Sequence, residues 1–472
     1  MIELLKRCGF EADEIQSELP RVKKAFNKLG ITVEDVERGK QRLDQYFDMR
    51  LQGVRKAFGF FMRDVVNMIL AREDGKKKIL YGFMSPGFGT LGSALFSKSE
   101  EIYVAILPGS FQFVLGFIFD KIVPILEAAE HQWLKAGKVS HCANVKTIVG
   151  LLALDLVPSP DLLVTSGQLC ETAPKTFDLI QELYDIPTCC YDICQDREFK
   201  EYPDSRRLME LYAMSVRRLT LQMQEVVGFE ITDDMLQESI DARSELGKAL
   251  MRIQDLIESS DPLPISPTHE ILWYTLSGLP LSARELGEAI AILNTLYEEL
   301  ENRVNKGEGV VEKGAPRILS LNPPHFTDPR WAHLICELGI SMIGSEPGFY
   351  PMHGTRYLDI DQEKPKDPYK IHSQWAQNSL YQSLSARTAI IIEACKRLNV
   401  DGVLAKYHVG CRTTVGDALI IKDAIARELG IPVLLLGFEG FDPRDYNEKQ
   451  YKRKIESFQT VLNGRMRKYY KE

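Results

Sequence analysis

Short apolar runs of strand length alternate with helical stretches over much of this chain. The runs "DLLVTSG" and "IPTCCYDIC" are separated by "APKTFDLIQELYD", whose apolar residues recur with the period of an amphipathic helix. Strands that alternate with helices in this way pair in parallel, because each helix returns the chain to the starting edge of the sheet. The pattern therefore predicts an α/β fold built on parallel sheets.

The runs fall into two sets, which predict two α/β units. The first set is "KKKILYGFM", "EIYVAIL", "DLLVTSG" and "IPTCCYDIC", and the second is "RILSLNPP", "GISMIG", "DGVLAKYH" and "GIPVLLLGFE". Helical patterns precede the first set and separate the two, and within the separating region Ser282 and Glu285 have the spacing of a capping box. The predicted parts are an N-terminal helical segment (1–75), a first α/β lobe (76–200), a helical insert (201–308) and a second α/β lobe (309–472).

Charge and hydropathy limit the partners and the location of the chain. Its 472 residues are 44% hydrophobic and 26% charged, which is typical of a soluble globular protein with more than one core. The net charge of −8 argues against a general nucleic-acid binder. No export signal is visible, so a cytoplasmic location is expected. Residues Ile102–Phe119 approach the length of a membrane span, but Pro108 and Gly109 interrupt them, which predicts a strand, a turn and a buried helix instead.

Three of the nine cysteines lie at the predicted starts of helices: Cys142, Cys170 and Cys411. In a parallel sheet the turns from strand to helix gather at the carboxyl edge, so turns that are distant in sequence can meet there. Helix N-termini favour anionic thiolates, and three thiolates facing one cleft would suit an iron–sulfur cluster. Taken singly, each is more often an ordinary small buried residue, and no CxxC pair accompanies them.

The remaining cysteines leave one alternative open. Packing in apolar surroundings is expected for Cys8, Cys336 and Cys395. In "CCYDIC", alternation along a strand sends Cys190 and Cys194 to one face and Cys189 to the other, so a second metal site there is an alternative.

Two other kinds of site are less consistent with the sequence. A zinc site could combine His408 with Cys411 or His141 with Cys142, but the close ligand pairs of zinc sites are missing. No GxxxxGK[ST] loop is present, which excludes ATP hydrolysis by the P-loop route.

With these cysteines in place, the chain resembles the family of the 2-hydroxyacyl-CoA dehydratases (D-component) and benzoyl-CoA reductases, which includes a double-cubane cluster branch. The most specific stretches are "VDGVLAKYHVGCR" and "ELGIPVLLLGFEGFDPRDYNEKQYKRKIESF", and a looser similarity covers residues 76–465. The resemblance implies two Rossmann-like lobes with helical additions. It also implies that Cys142, Cys170 and Cys411 hold a [4Fe-4S] cluster, because these positions match the three cysteine ligands of such a subunit.

The resemblance further implies an anaerobic radical enzyme with several partners. A separate ATP-hydrolysing iron–sulfur activator would deliver one low-potential electron, which the cluster passes to an acyl-CoA thioester. The resulting ketyl radical either loses a hydroxyl group, as in a lyase, or leads to reduction of an aromatic ring, as in an oxidoreductase. A sister subunit or a second copy of the chain would complete the enzyme.

Two departures from the family pattern keep alternatives open. Dehydratase subunits that bind substrate carry a glutamate where this chain has Gly109, which weakens the dehydratase branch here. The extra cysteines of "CCYDIC" allow a double-cubane cluster reductase of small molecules. A non-catalytic scaffold or electron-relay subunit is the alternative from another class. Ser85 is a catalytic candidate by position only, while Lys406 and Arg412 would raise the cluster potential, meet CoA phosphates or lie in solvent.

Overall fold

Two four-stranded parallel sheets with the same strand order form the framework of the chain. The computed structural model describes residues 1–83, 87–96, 99–136, 142–167, 170–191, 206–322, 325–349, 357, 365–371, 384–409 and 411–469. The first sheet consists of β1 (Lys78–Phe83), β2 (Ile102–Ile106), β3 (Leu162–Ser166) and β4 (Thr188–Tyr191), in the order β2-β1-β3-β4. The second consists of β5 (Arg317–Leu321), β6 (Ser341–Ser345), β7 (Gly402–His408) and β8 (Val433–Phe438), in the order β6-β5-β7-β8. Each strand lies at one of the apolar runs of the sequence, so the predicted α/β fold is confirmed.

Helices surround the two sheets and account for most of the remaining described elements. They are α1 (Ile2–Arg7), α2 (Ala12–Lys28), α3 (Val33–Tyr46), α4 (Gln52–Leu70), α5 (Phe88–Phe96), α6 (Val123–Ala136), α7 (Ala143–Ala153), α8 (Thr172–Tyr184), α9 (Arg206–Val227), α10 (Asp233–Ser259), α11 (Glu270–Gly278), α12 (Ala283–Lys306), α13 (Arg330–Glu337), α14 (Leu384–Arg397), α15 (Arg412–Leu429) and α16 (Glu448–Tyr469). Along the sequence, helices α1 to α4 come before the strands of the first sheet, and α9 to α12 come between the strands of the first sheet and those of the second, as predicted. Ser282 caps α12, and the Glu285 side chain accepts from the Ser282 backbone N–H, which confirms the capping box.

The segment that approaches the length of a membrane span is a buried strand followed by a buried helical turn. Strand β2 is followed by a π-helical stretch, Gln112–Ile118, in which every residue is buried, and this stretch packs against α3 and α4. This arrangement confirms the predicted order of strand, turn and helix. Within the described ranges, no helix is both long and apolar enough to cross a membrane.

One hydrophobic core joins parts of the chain that the sequence separates. It contains residues of the N-terminal helices, of the inner face of each sheet and of α10 to α12. The other face of the first sheet packs against α5, α9 and α10, and the other face of the second sheet packs against α13 and α16. This core continues across the predicted domain boundaries and does not separate the four parts. The boundaries stay a prediction.

Candidate functional site

Two of the candidate cysteines follow corresponding strands in the two sheets. Cys170 lies four residues beyond the last residue of β3, Ser166, and Cys411 lies three beyond the last residue of β7, His408. In sheets of this order, the chain connections diverge between β1 and β3, and between β5 and β7, and such switch points are where open α/β sheets bind ligands. Cys411 is also the N-cap of α15, and its backbone N–H donates to the His408 carbonyl at 2.9 Å.

Cys142 lies at the start of a helix in the first lobe. It is the N-cap of α7 and is 9% exposed. The backbone N–H groups of Asn144 and Val145 interact with its sulfur. The Asn144 side chain is itself fixed, because Gln112 Nε2 donates to Asn144 Oδ1 at 2.6 Å inside the protein. The first turn of α7 therefore presents N–H donors to a nearly buried thiol.

The three thiols lie near enough for Cys170 to affect the pKa of Cys142 and for Cys411 to affect that of Cys170. Burial raises the pKa of Cys142 far above its usual value, and the nearby Cys170 raises it further. Burial also raises the pKa of Cys170, with a smaller contribution from Cys411, while the N–H groups at the start of α8 act in the opposite direction. Ionising one of these thiols therefore opposes ionisation of the next, and a bound cation would relieve that repulsion.

The three side chains are of the type that holds iron–sulfur clusters, since cysteine thiolates are the usual ligands. Among the described residues, no group of three or more Cys, His, Asp or Glu side chains is arranged to hold a metal ion. The residues beside the three cysteines, 137–141, 168–169 and 410, lie outside the described part. Thiols presented from three separate turns match the thiolate ligands of iron–sulfur clusters, whereas structural zinc needs four ligands around one ion.

A carboxylate from the second lobe lies close enough to Cys142 to affect its charge, and no sequence pattern indicated it. Glu439 follows β8, its charge raises the pKa of Cys142, and His408 Nε2 lies 2.7 Å from Glu439 Oε1. His408 is therefore engaged with Glu439, and His141, the other histidine considered for zinc, lies outside the described residues. A second link between the lobes joins Arg444 to Glu130 of α6 at 2.8 Å.

Lys406 lies inside the protein, which corrects the expectation of a solvated turn residue or a CoA-phosphate contact. It is fully buried, and its ammonium lies 4.6 Å from the centre of the Trp331 ring and 5.5 Å from that of Phe438. Burial lowers the pKa of Lys406 to about 7, although the carboxylates of Glu270 and Glu346 act to raise it. The Arg412 side chain lies outside the described part.

The turn after β2 has no room for a side chain at position 109. Gly109 has a φ of +40°, and a Cβ there would lie 2.4 Å from the Ile106 carbonyl oxygen. A different acid lies behind this turn, because the Ser110 hydroxyl donates to the carboxylate of Asp64. Burial raises the pKa of Asp64 to about 6. Sequence patterns did not single out Asp64, since it lies within the apolar helix α4.

The other candidates have varied surroundings. Ser85 and Cys194 lie outside the described residues. Cys189 is buried and its thiol donates to Gln222, while Cys190 is exposed, as strand alternation predicts.

The cysteines that were expected to pack in apolar surroundings differ in exposure. Cys8 and Cys395 are buried. Cys336 lines a cavity of about 580 Å³ between the α3–α4 connection and α13. No disulfide joins the cysteines in the described ranges.

Comparisons with known proteins agree on one family. The family model described as 2-hydroxyglutaryl-CoA dehydratase, D-component, matches residues 115–462, which is more than half of the chain. The B subunit of benzoyl-CoA reductase from Thauera aromatica is 21% identical over 396 residues, covering 78% of this chain and 90% of that protein. The alpha subunit of (R)-2-hydroxyglutaryl-CoA dehydratase from Acidaminococcus fermentans is 23% identical, covering 65% of this chain and 61% of that protein. The alpha subunit of (R)-2-hydroxyisocaproyl-CoA dehydratase from Clostridioides difficile is 22% identical, covering 72% and 82% respectively.

Proposed function

The chain belongs to the 2-hydroxyglutaryl-CoA dehydratase D-component family, and from this membership we propose that it is the iron–sulfur subunit of an ATP-activated enzyme acting on acyl-CoA thioesters. The observation that carries the proposal is the placement of Cys142 and Cys411 at helix N-caps, and of Cys170 and Cys411 after corresponding strands of the two sheets. The effects of Cys170 on the pKa of Cys142 and of Cys411 on that of Cys170 agree with this placement. These three thiols would hold a [4Fe-4S] cluster. Once bound, the cluster would supply one-electron transfer to the thioester.

The protein residues around the thiols have supporting roles in this proposal. The N–H groups at the start of α7 and α8 would donate to the thiolates, which raises the reduction potential of a cluster. The burial of Cys142 would keep water from one side of the site. Glu439, held by His408, would add a negative charge beside Cys142, which lowers the potential.

The substrate branch and the partners belong to the same proposal. The relatives are themselves named as B or alpha subunits, which supports a sister subunit for this chain. An ATP-hydrolysing iron–sulfur activator would supply the electron. The steric block at Gly109 favours a reductase, or a dehydratase whose acid comes from the sister subunit. Such an enzyme would work under anaerobic conditions in the cytoplasm.

Iron and acid-labile sulfide per chain after anaerobic purification test the cluster, together with EPR of the dithionite-reduced protein. We expect about four irons, lost on changing Cys142, Cys170 or Cys411 to alanine. Cys395→Ala is the matched control, because Cys395 is a buried cysteine of helix α14. About eight irons would replace this proposal with the double-cubane reductase. No iron after reconstitution, or full retention in Cys411→Ala, would overturn the assignment.

A scaffold or electron-relay role makes a different prediction. Gly109 supports this candidate, because the chain lacks the acid of the substrate-binding dehydratase subunits. Isothermal titration of the purified chain with several acyl-CoA thioesters separates the two roles. Binding by the chain alone supports the catalytic subunit. Binding that requires the sister subunit supports the scaffold or relay.

A further inference from the structure

We propose that Arg387 is a positioning residue that fixes the start of helix α15, and with it the Cys411 thiol, against the second sheet. The inference deepens the proposed function and rests on it for its chemical meaning, since Cys411 is there a cluster ligand. The geometry of the contact does not depend on a cluster. It concerns a buried network that none of the sequence patterns indicated.

The Arg387 guanidinium bonds to three side chains inside the protein. Its Nε and one terminal nitrogen donate to the two carboxylate oxygens of Glu346, the second at 2.9 Å. The other terminal nitrogen, Nη1, donates to Asp417 at 2.9 Å. Nη2, the terminal nitrogen that donates to Glu346, also donates to Asn322 Oδ1 at 2.8 Å. The side chains of Arg387 and Glu346 are 2% and 0% exposed, and that of Asp417 is 9% exposed.

These partners belong to different elements at the carboxyl edge of the second sheet. Asn322 directly follows β5, Glu346 directly follows β6, and Asp417 lies on α15. The Asn322 backbone N–H donates to Glu346 at 2.9 Å, and its side-chain amide donates to the carbonyl of Lys406 on β7. Asn322 has a φ of +64°, which asparagine tolerates better than most residues. Arg387 thus connects the ends of β5 and β6 to α15, and Asn322 extends the network to β7.

Two hydrogen bonds on either side of Cys411 join the start of α15 to His408 at the end of β7. The Cys411 N–H donates to the His408 carbonyl, and the Thr414 hydroxyl accepts from the His408 N–H at 3.0 Å. Thr414 lies in the first turn of α15, three residues before Asp417. These bonds hold the turn to β7, and the bond from Arg387 to Asp417 holds the same helix to the ends of β5 and β6 as well, so Arg387 helps to fix the thiol relative to the sheet.

The chemistry of this network favours a positioning role over a purely stabilising one. Buried ion pairs contribute little net stability, because desolvation offsets their attraction, and well-packed apolar residues often do as well. What arginine adds is a rigid fork of donors that fits two carboxylates and an amide together, which the single ammonium of lysine does not reproduce. Arg387→Lys therefore keeps the charge and removes the geometry.

Alkylation of individual cysteines in the metal-free protein tests the proposal. Rates are measured by mass spectrometry for wild type, Arg387→Lys and Arg387→Met. The control is Arg397→Lys, because Arg397 lies on the same helix in a 2.9 Å pair with Glu393 on an exposed face. We expect Cys411 to react about tenfold faster in Arg387→Lys, with Cys170 and Cys395 unchanged and with the control at the wild-type rate. Should Arg387→Met not fold, Arg387→Lys alone decides.

The outcomes separate this inference from the proposed function. Unchanged Cys411 reactivity in folded Arg387→Lys, or equal acceleration of Cys411 and Cys170, would overturn the positioning role even in a protein that binds iron. Selective acceleration supports the role even if wild type binds no iron, in which case only the proposed function fails. In iron-loaded protein, Arg387→Lys should also alter the EPR spectrum of the reduced state, and Arg397→Lys should not.

Discussion

Cys170 and Cys411 follow β3 and β7, which hold the same place in two sheets of the same strand order. The two halves of the chain therefore contribute corresponding turns to one neighbourhood, and Cys142 adds a third thiol from the start of α7. A site assembled from both halves depends on how the sheets are held together. The shared core and the pair between Arg444 and Glu130 provide that connection.

Cluster binding should protect three cysteines selectively. In the metal-free protein, Cys142 should react with iodoacetamide at least about tenfold more slowly than exposed Cys190 near pH 8, because its pKa is raised and the thiolate is the nucleophile. After anaerobic reconstitution, Cys142, Cys170 and Cys411 should become unreactive while Cys190 keeps its rate. Mass spectrometry of the labelled peptides measures both. Loss of Cys190 reactivity together with the other three would instead indicate the double-cubane branch.

Gly109 should not accept any side chain. Gly109→Ala combines a left-handed backbone with a Cβ 2.4 Å from the Ile106 carbonyl, so we expect it to lower the free energy of unfolding by about 2 to 4 kcal/mol. Gly75→Ala is the control, because Gly75 has a φ of +82° and nothing within 4 Å of such a Cβ. It should cost about 1 kcal/mol, for the backbone conformation alone. Urea denaturation measures both.

Equal costs at the two positions would mean that the turn after β2 can move away from Ile106. In that case Gly109→Glu would be tolerated as well. A glutamate would then be sterically allowed at position 109, and the argument against a dehydratase function for this subunit would fail.

The sheets could be predicted from the sequence because their information is local. Each buried parallel strand is a continuous apolar run, as in "DGVLAKYH" for β7, and the turns follow from where each run stops. The position of Cys411 at the start of a helix follows in the same way. So does the capping box at Ser282, whose two hydrogen bonds span only three residues.

The buried charges could not be predicted because their partners are distant in the chain. Lys406 resembles a surface residue in the sequence, yet Trp331, 75 positions earlier, covers it. Arg387 lies in an apolar helix, and its partners Asn322 and Glu346 come from strand ends 65 and 41 positions away. Only the folded sheet brings these groups together, so no periodic pattern reports them.

Asp64 should make the chain less stable as the pH rises. Burial raises its pKa to about 6, whereas the unfolded chain ionises it near 4. Between these values the native state holds more protons than the unfolded state, so the free energy of unfolding falls with rising pH and the full cost is present above about pH 6. Asp64→Asn is neutral at every pH and still accepts from Ser110 through its amide oxygen.

Near pH 8 the free energy of unfolding of Asp64→Asn should exceed that of wild type by about 1 to 3 kcal/mol. The difference should vanish near pH 4, because the aspartate is then largely protonated in the native state and its ionisation no longer costs stability. Urea midpoints of the metal-free protein, followed by far-UV circular dichroism across that range, measure the difference. Asp178→Asn, at an exposed position of α8, should show no such pH dependence. A stability difference between Asp64→Asn and wild type that stays constant from pH 4 to pH 8 would show that Asp64 is ionised in the native state throughout, with Ser110 and the turn after β2 stabilising its charge.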